Sequence, residues 1–420
     1  MNLGTIKFLQ PLKNKRFSLL FSGQLLSDCG NWLDYIAIYT LLVYTWQLGP
    51  DAVAAQVIAA GVPWIFLGPL ISVWVDRLPT KVTLVVSDIL RAIIVFCLFF
   101  TTSLWLLLML VFLKNSVATA FEPARMKTIK SVIPHQELSQ AISLSQTSVY
   151  LMKIIAPIVG GVIAAQTSSS FIFLIEGVLF LISSVLLSFI PNDLNQTQSV
   201  DKPKFWKELT GGIKHLKTTS TLLMAVILVS VSLFLIFLFE GLFVLWAKEQ
   251  NLSEQAYGML ISAIGLGSLV GVLGGGSWEG WKKSPLSSIS SAVFISGILV
   301  TILGIGGMLS FQLPTLVWSA MAFCAGVCAA FTTVPFGYIL QTETPSHLIG
   351  RVTGSSNALQ NVSTFLAPLL GASLAAAFST NFVFLGAGVG LVLLGGISTM
   401  TVLTNKSRDS SNIEQKQENY

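Results

Sequence analysis

Asp28, Asp34, Lys114, Lys153, Glu176 and Glu240 each lie in a stretch of the chain that is otherwise apolar. An ionisable group taken out of water costs several kcal/mol unless it is paired or hydrated, so residues of this kind in such places are candidates for function. Their chemistry is proton handling. A carboxylate that changes exposure can take up a proton on one side and release it on the other, and its ion pair with a lysine opens when the acid is neutralised. Lysine adds a second option, because a desolvated ammonium can give up its proton whereas a guanidinium hardly can.

Lys114 lies about ten residues into its apolar stretch, ~15 Å at ~1.5 Å per residue, which puts it near the middle of a membrane. Asp34 shares one helical stripe with Gln24, Ser27, Asp28 and Asn31, and hydrocarbon cannot satisfy such a stripe. It must face a hydrated cavity or other helices. Asp34 is the favoured partner for Lys114, with Asp28 the rival; the plainer alternative is a lysine that pairs only for structure. Lys153, just before Ile154-Ile155-Ala156-Pro157, could bind an anionic substrate, complete an ion pair or respond to bending at Pro157. Glu240 and Glu176 are the remaining embedded acids, Glu240 being the better placed for carrying a proton. Asp88 and Arg91, three apart on one helix, are expected to pair with each other and to support a gate.

These side chains need helices that cross a membrane. Hydrophobic residues make up 53% of the 420 and charged residues only 10%, where a soluble chain carries about a quarter charged. Apolar runs long enough for a hydrocarbon core of about 30 Å recur at 17–46, 52–75, 82–101, 104–125, 141–166, 170–190, 220–247, 256–278, 286–309, 313–340, 352–378 and 382–403. The expectation is an all-α membrane protein of twelve transmembrane helices in two pseudo-symmetric bundles of six. Residues 1–190 form the first bundle and 220–403 the second. Between them 191–219 reads as a cytoplasmic amphipathic linker, with Phe205, Leu209, Ile213 and Leu216 at helical spacing among lysines that suit anionic headgroups. Residues 404–420 read as a disordered cytoplasmic tail.

A repeat joins the two halves. Ala156-Pro157-Ile158-Val159-Gly160-Gly161 recurs as Ala367-Pro368-Leu369-Leu370-Gly371-Ala372, and Pro134 and Pro345 keep the same separation. In an apolar helix a proline removes a backbone hydrogen bond and small residues admit a neighbour, so these blocks read as paired hinge and packing sites. Trp46 and Trp246 close the first span of each half and suit an outer interfacial belt.

The net charge of +5 is topological rather than a sign of nucleic-acid binding. With the N-terminus inside, only Lys248 of the 24 Lys and Arg residues falls in an outside loop, and only Arg91, Lys114 and Lys153 fall within spans, Arg125 standing at the inner end of one. Both termini are therefore expected in the cytoplasm, with the chain in the plasma (inner) membrane. No cleavable signal peptide is evident. Enzyme chemistry has no support: no nucleophile–base or metal constellation appears, and His135, His215 and His347 lack ligand spacing. Gly265, Gly267 and Gly271 have the wrong spacing for a nucleotide loop, and Gly267 and Gly271 suit close helix packing instead. No metal and no cofactor is expected.

The stretch Gly68-Pro69-Leu70-Ile71-Ser72-Val73-Trp74-Val75-Asp76-Arg77-Leu78-Pro79-Thr80-Lys81 resembles the signature loop of the major facilitator superfamily, a glycine, then Asp-Arg, then a basic residue. The second glycine and second arginine of that pattern are Pro79 and Thr80 here. The resemblance implies a cytoplasmic gate in which Asp76 meets the start of the eleventh span, near Gly350-Arg351. The block at Pro157 is similar to the superfamily's antiporter signature, Gly-Pro-x-x-Gly-Gly, with Ala156 in place of its glycine and Met152 in place of an earlier one. Lys114 and Ala118 stand where the family often has arginine and glycine. Ser87 through Ala92, Phe121 through Ala124 and Pro134 through Gly161 look like the macrolide-efflux branch of drug:proton antiporters.

Over residues 16–403 that resemblance implies the major facilitator fold and a monomeric, proton-driven exporter of a small amphiphilic compound, surrounded by membrane lipids. A facilitator or importer, an exporter of siderophore-like or lipid-like molecules, and a non-transporting membrane sensor or scaffold remain as alternatives.

Overall fold

The computed structural model describes residues 7–75, 78–134, 137–191, 216, 218–277, 279–309, 311, 313–345 and 348–418. The helices are α1 (Lys15–Thr40), α2 (Pro50–Val62), α3 (Gly68–Val75), α4 (Thr80–Phe99), α5 (Leu104–Val132), α6 (Leu138–Gln166), α7 (Phe171–Ser188), α8 (Ser220–Glu240), α9 (Phe243–Glu249), α10 (Glu254–Ser277), α11 (Pro285–Met308), α12 (Thr315–Thr342), α13 (Ile349–Ala377) and α14 (Thr380–Glu418). Among the described residues, eleven helices are long and apolar enough to cross a membrane. The twelfth is α1, 26 residues long, whose polar stripe lowers its hydropathy.

Helix α4 shows why the surroundings must be hydrocarbon. Its buried face carries Thr83, Ser87, Asp88 and Arg91, while Val82, Val86, Ile89, Leu90 and Ile93 are exposed. A soluble helix has the opposite arrangement. Local signals set the ends. The Asn14 side-chain oxygen accepts from the backbone amides of Arg16 and Phe17 at 3.0 and 3.4 Å to start α1, and its side-chain Nδ2 donates to the Val132 carbonyl at 2.8 Å, tying that start to the end of α5. Pro50 and Pro285 open α2 and α11, where a missing N–H costs nothing. Leu41–Thr45 and Pro63–Leu67 are π-helical turns; the second joins α2 to α3 and starts at the residue that cannot donate.

The chain forms two compact units, Met1–Asp201 with Asn251–Ser262, and Lys202–Gln250 with Ala263–Tyr420. In the first, α1 packs on α6 and α7, and α4 on α5 and α7. One apolar core there gathers Phe17, Leu20, Leu84, Phe121, Ile129 and Leu187. In the second, α8 packs on α13, and α11 on α12 and α14. Glycines permit the closest approach in that unit. A Cβ added at Gly267 would lie 2.0 Å from the Phe323 carbonyl oxygen, and one at Gly326 would lie 2.0 Å from that of Ile264.

The repeat is visible as geometry. Both α6 and α13 are 29 residues long, with Pro157 and Pro368 inside them at the same position. Trp246 departs from the expected interfacial belt. It is fully buried, T-shaped on Trp318 and stacked on Phe243, and its indole N–H donates to the Leu303 carbonyl at 3.1 Å. With that partner it has no need of the wet interface. The last helix continues past the apolar span Thr380–Val402 through the polar residues read as a tail. The linker residues 192–215 lie outside the described residues.

Candidate functional site

Three helices of the first unit meet at Lys114. The lysine stands in the middle of α5 and is 4% exposed, yet it forms ion pairs with Asp34 of α1 and with Glu176 of α7, the latter at 3.4 Å. Gly30, one turn before Asp34, makes room: a Cβ there would touch the Glu176 side chain at 3.2 Å and the Phe180 ring at 3.4 Å. One oxygen of each carboxylate, Asp34 Oδ1 and Glu176 Oε2, is buried without a hydrogen-bond partner. Two acids therefore share one base. If all three are ionised, the group carries an uncompensated negative charge away from water, which is costly. A proton or a cationic group relieves that cost.

Asp28, the rival partner, faces α6. It accepts from Gln24 at 3.0 Å and from the Ser148 hydroxyl at 2.7 Å, while Gln24 and Ser145 exchange two hydrogen bonds of 2.7 Å. Its direct partners are neutral.

Asp88 and Arg91 do pair, and both are buried. The Asp88 carboxylate also accepts from Ser27 of α1 at 3.1 Å and Ser183 of α7 at 2.5 Å. Arg91 lies between the rings of Phe121 and Phe180, 4.5 and 4.4 Å from their centroids. This pair clamps α1, α4, α5 and α7 around Lys114. A further pair, Glu122 with the buried Arg125, lies on α5.

The sequence model of the Major Facilitator Superfamily matches residues 20–368, the greater part of the chain. The chain belongs to the major facilitator superfamily. It is 24% identical to the uncharacterised transporter YfiS of Bacillus subtilis (strain 168), over 94% of this chain and 95% of the relative. It is 22% identical to macrolide efflux protein A of Streptococcus pyogenes, over 92% and 95%. The nucleoside transporter NupG has the same fold, with a TM-score of 0.74 at 12% identity, covering 92% of this chain and 99% of that one. This is a multi-pass membrane transporter with the major facilitator fold.

The remaining expected residues of the transporter are scattered. Lys153 of α6 sits over the Trp32 ring of α1 at 5.3 Å. Asn31 is exposed, unlike its stripe neighbours Gln24 and Ser27. Glu240 ends α8, half-buried, in the second unit. Of the gate residues, Gly68 opens α3 with ordinary space around it. Asp76 and Arg77 lie outside the described residues, as does the side chain of Arg351.

The hinge blocks are tightly packed. Ala156 is fully buried, and Cβ atoms at Gly160 and Gly161 would meet Leu33 at 3.3 Å and the Gly258 backbone at 3.2 Å. One at Gly371, beyond Pro368, would lie 1.8 Å from the Leu238 carbonyl oxygen. Arg125, Ser148 and Ser183 were not singled out from the sequence. Their signal was slight: serines in apolar helices usually bond their own helix, and Arg125 stands at the polar end of its span.

Proposed function

We propose that this transporter couples proton uptake to the export of a small amphiphilic compound. The observation that carries the reading is Lys114 shared between Asp34 and Glu176. Protonation of either acid leaves a balanced pair and weakens its own hold on the lysine, which lets α1, α5 and α7 shift against one another. The prolines at 157 and 368 give α6 and α13 a place to bend as access alternates, and Asp76-Arg77 closes the cytoplasmic gate. Export is supported by the likeness to macrolide efflux protein A and by the Gly160-Gly161 ending of the antiporter-like block. In this reading the protein works as a monomer in the plasma membrane with both termini in the cytoplasm.

Everted vesicles test it. An imposed pH gradient should drive accumulation of an amphiphilic dye by the wild type, and Lys114→Ala, Asp34→Asn and Glu176→Gln should each abolish that drive. If all three accumulate dye normally, the coupling assignment fails. A facilitator would equilibrate the dye without responding to the gradient. A sensor or scaffold has less support, because three buried charges on three helices are costly to maintain for packing alone.

A further inference from the structure

A cleft of about 480 Å³ opens between α11 and α12 of the second unit, remote in sequence from every residue assigned above. It has two ends of different chemistry. At one end are Lys283, Ser284 and Ser287, at the start of α11; along the rest run Ile295 of α11 and Val327 and Phe331 of α12. Lys283 is exposed, Ile295 is 47% exposed, and Ser291 is exposed between them, so the cleft is open along its length. Both helices are candidate spans, and Ile295, Ile298 and Ile302 give α11 an exposed apolar face of the kind that suits lipid.

The polar end is built to receive an anion. Ser284 occupies the cap position of α11 without making a side-chain cap bond, and its hydroxyl is spent on Ser287 at 2.7 Å. The first-turn amides of a 24-residue helix therefore lack a side-chain acceptor at the end where its dipole is positive. A phosphate satisfies such amides. Lys282 and Lys283 close the short helix Glu279–Lys283 immediately before it, and Trp281 anchors that turn by donating to the Gly275 carbonyl at 2.7 Å. From Ser284 to Ile295 the helix rises about 17 Å, close to half of a hydrocarbon core of about 30 Å. The cleft thus spans one leaflet, cationic where headgroups lie and apolar where tails lie.

We propose that this cleft holds one anionic phospholipid of the leaflet bordering the Lys282–Lys283 turn, with its phosphate at Lys283 and the first turn of α11 and an acyl chain along Ile295, Val327 and Phe331. The lipid fills the space between α11 and α12 and fastens the loop before α11 to the membrane surface.

Native mass spectrometry of the full chain released from nanodiscs tests this. One set of discs contains phosphatidylcholine alone and the other phosphatidylcholine with phosphatidylglycerol. The wild type should retain one phosphatidylglycerol in preference to phosphatidylcholine. Lys283→Ala removes a charge-assisted contact and should lower that preference about tenfold. Ser291→Trp, at an exposed position, fills the acyl path and should abolish retention of either lipid without unfolding the chain. Added inorganic phosphate should leave the bound phosphatidylglycerol in place. Equal retention of the two lipids by the wild type, unchanged retention in both variants, or full displacement by phosphate overturns the proposal.

Discussion

Glu176 Oε1 lies 3.4 Å from the Lys114 ammonium, on a side chain with no solvent exposure, although Asp34 already engages the same lysine. A second acid on a satisfied base adds no stability to a resting fold. Its presence leaves the cluster with one more acid than base, buried on three helices.

Stability measurements can separate these roles. Lys114→Ala leaves two buried carboxylates facing each other and should cost about 3–5 kcal/mol. Adding Glu176→Gln removes one of them and should recover part of that loss, whereas Glu176→Gln alone should change stability little. Thermal melting in detergent reads all three variants. A double variant no more stable than Lys114→Ala would mean that Glu176 does not bear on the lysine's charge.

The Asp88–Arg91 clamp makes a different demand on shape. Arg91 is held between two aromatic faces while it pairs with Asp88, a geometry that suits a planar guanidinium and not an ammonium. Arg91→Lys keeps the charge but should cost about 1–2 kcal/mol through the lost stacking. Phe180→Leu should lower the melting temperature in the same direction. If Arg91→Lys melts with the wild type, the ring contacts carry no weight.

The sequence made the twelve spans legible because a membrane leaves long apolar runs, and it made the pairing of halves legible because Pro157 and Pro368 sit alike in helices of equal length. Asp34 and Lys114 could be matched in advance, with Asp28 as the rival, because each is a charge in an apolar stretch. The third member was less legible. Position along the chain favours Glu240 over Glu176 as a proton carrier, and only the packing of α7 on α1 at Gly30 brings Glu176 to the lysine. Trp246 failed for the opposite reason: an amphipathic ring suits both an interface and a core with one carbonyl in reach, and Leu303 supplies that carbonyl.

Glu249, the last residue of α9 and outside the candidate spans, should give the second unit a pH dependence of its own. Burial pushes its carboxyl above the ordinary value of 4.5, while hydrogen bonds with Thr380 and Asn381 pull it back. Between the ordinary and the raised value the folded chain holds a proton that the unfolded chain has lost. This contribution is therefore fully present below the ordinary value and is lost as pH rises through the raised one. Melting temperature followed upward from about pH 4 should show that decline, and Glu249→Gln should flatten it. An unchanged slope in the variant would assign the decline to other groups.

Gly267 and Gly326 make a reciprocal demand on the fold. The backbone of α10 meets that of α12 so closely that a single methyl group on either glycine would lie 2.0 Å from a carbonyl oxygen of the other helix. No side-chain rotation relieves a clash with backbone, so the helices must separate or tilt, at about 1–3 kcal/mol for each substitution. Gly267→Ala and Gly326→Ala should both lower the melting temperature. Because they act at one contact, the double variant should lose less than the two losses added together. Gly274 and Gly337 lie on the same two helices with nothing within 4 Å of an added Cβ. There alanine should be neutral or slightly stabilising, since it favours the helix by up to about 1 kcal/mol over glycine. Equal losses at all four positions would trace the effect to glycine content rather than to the α10–α12 contact.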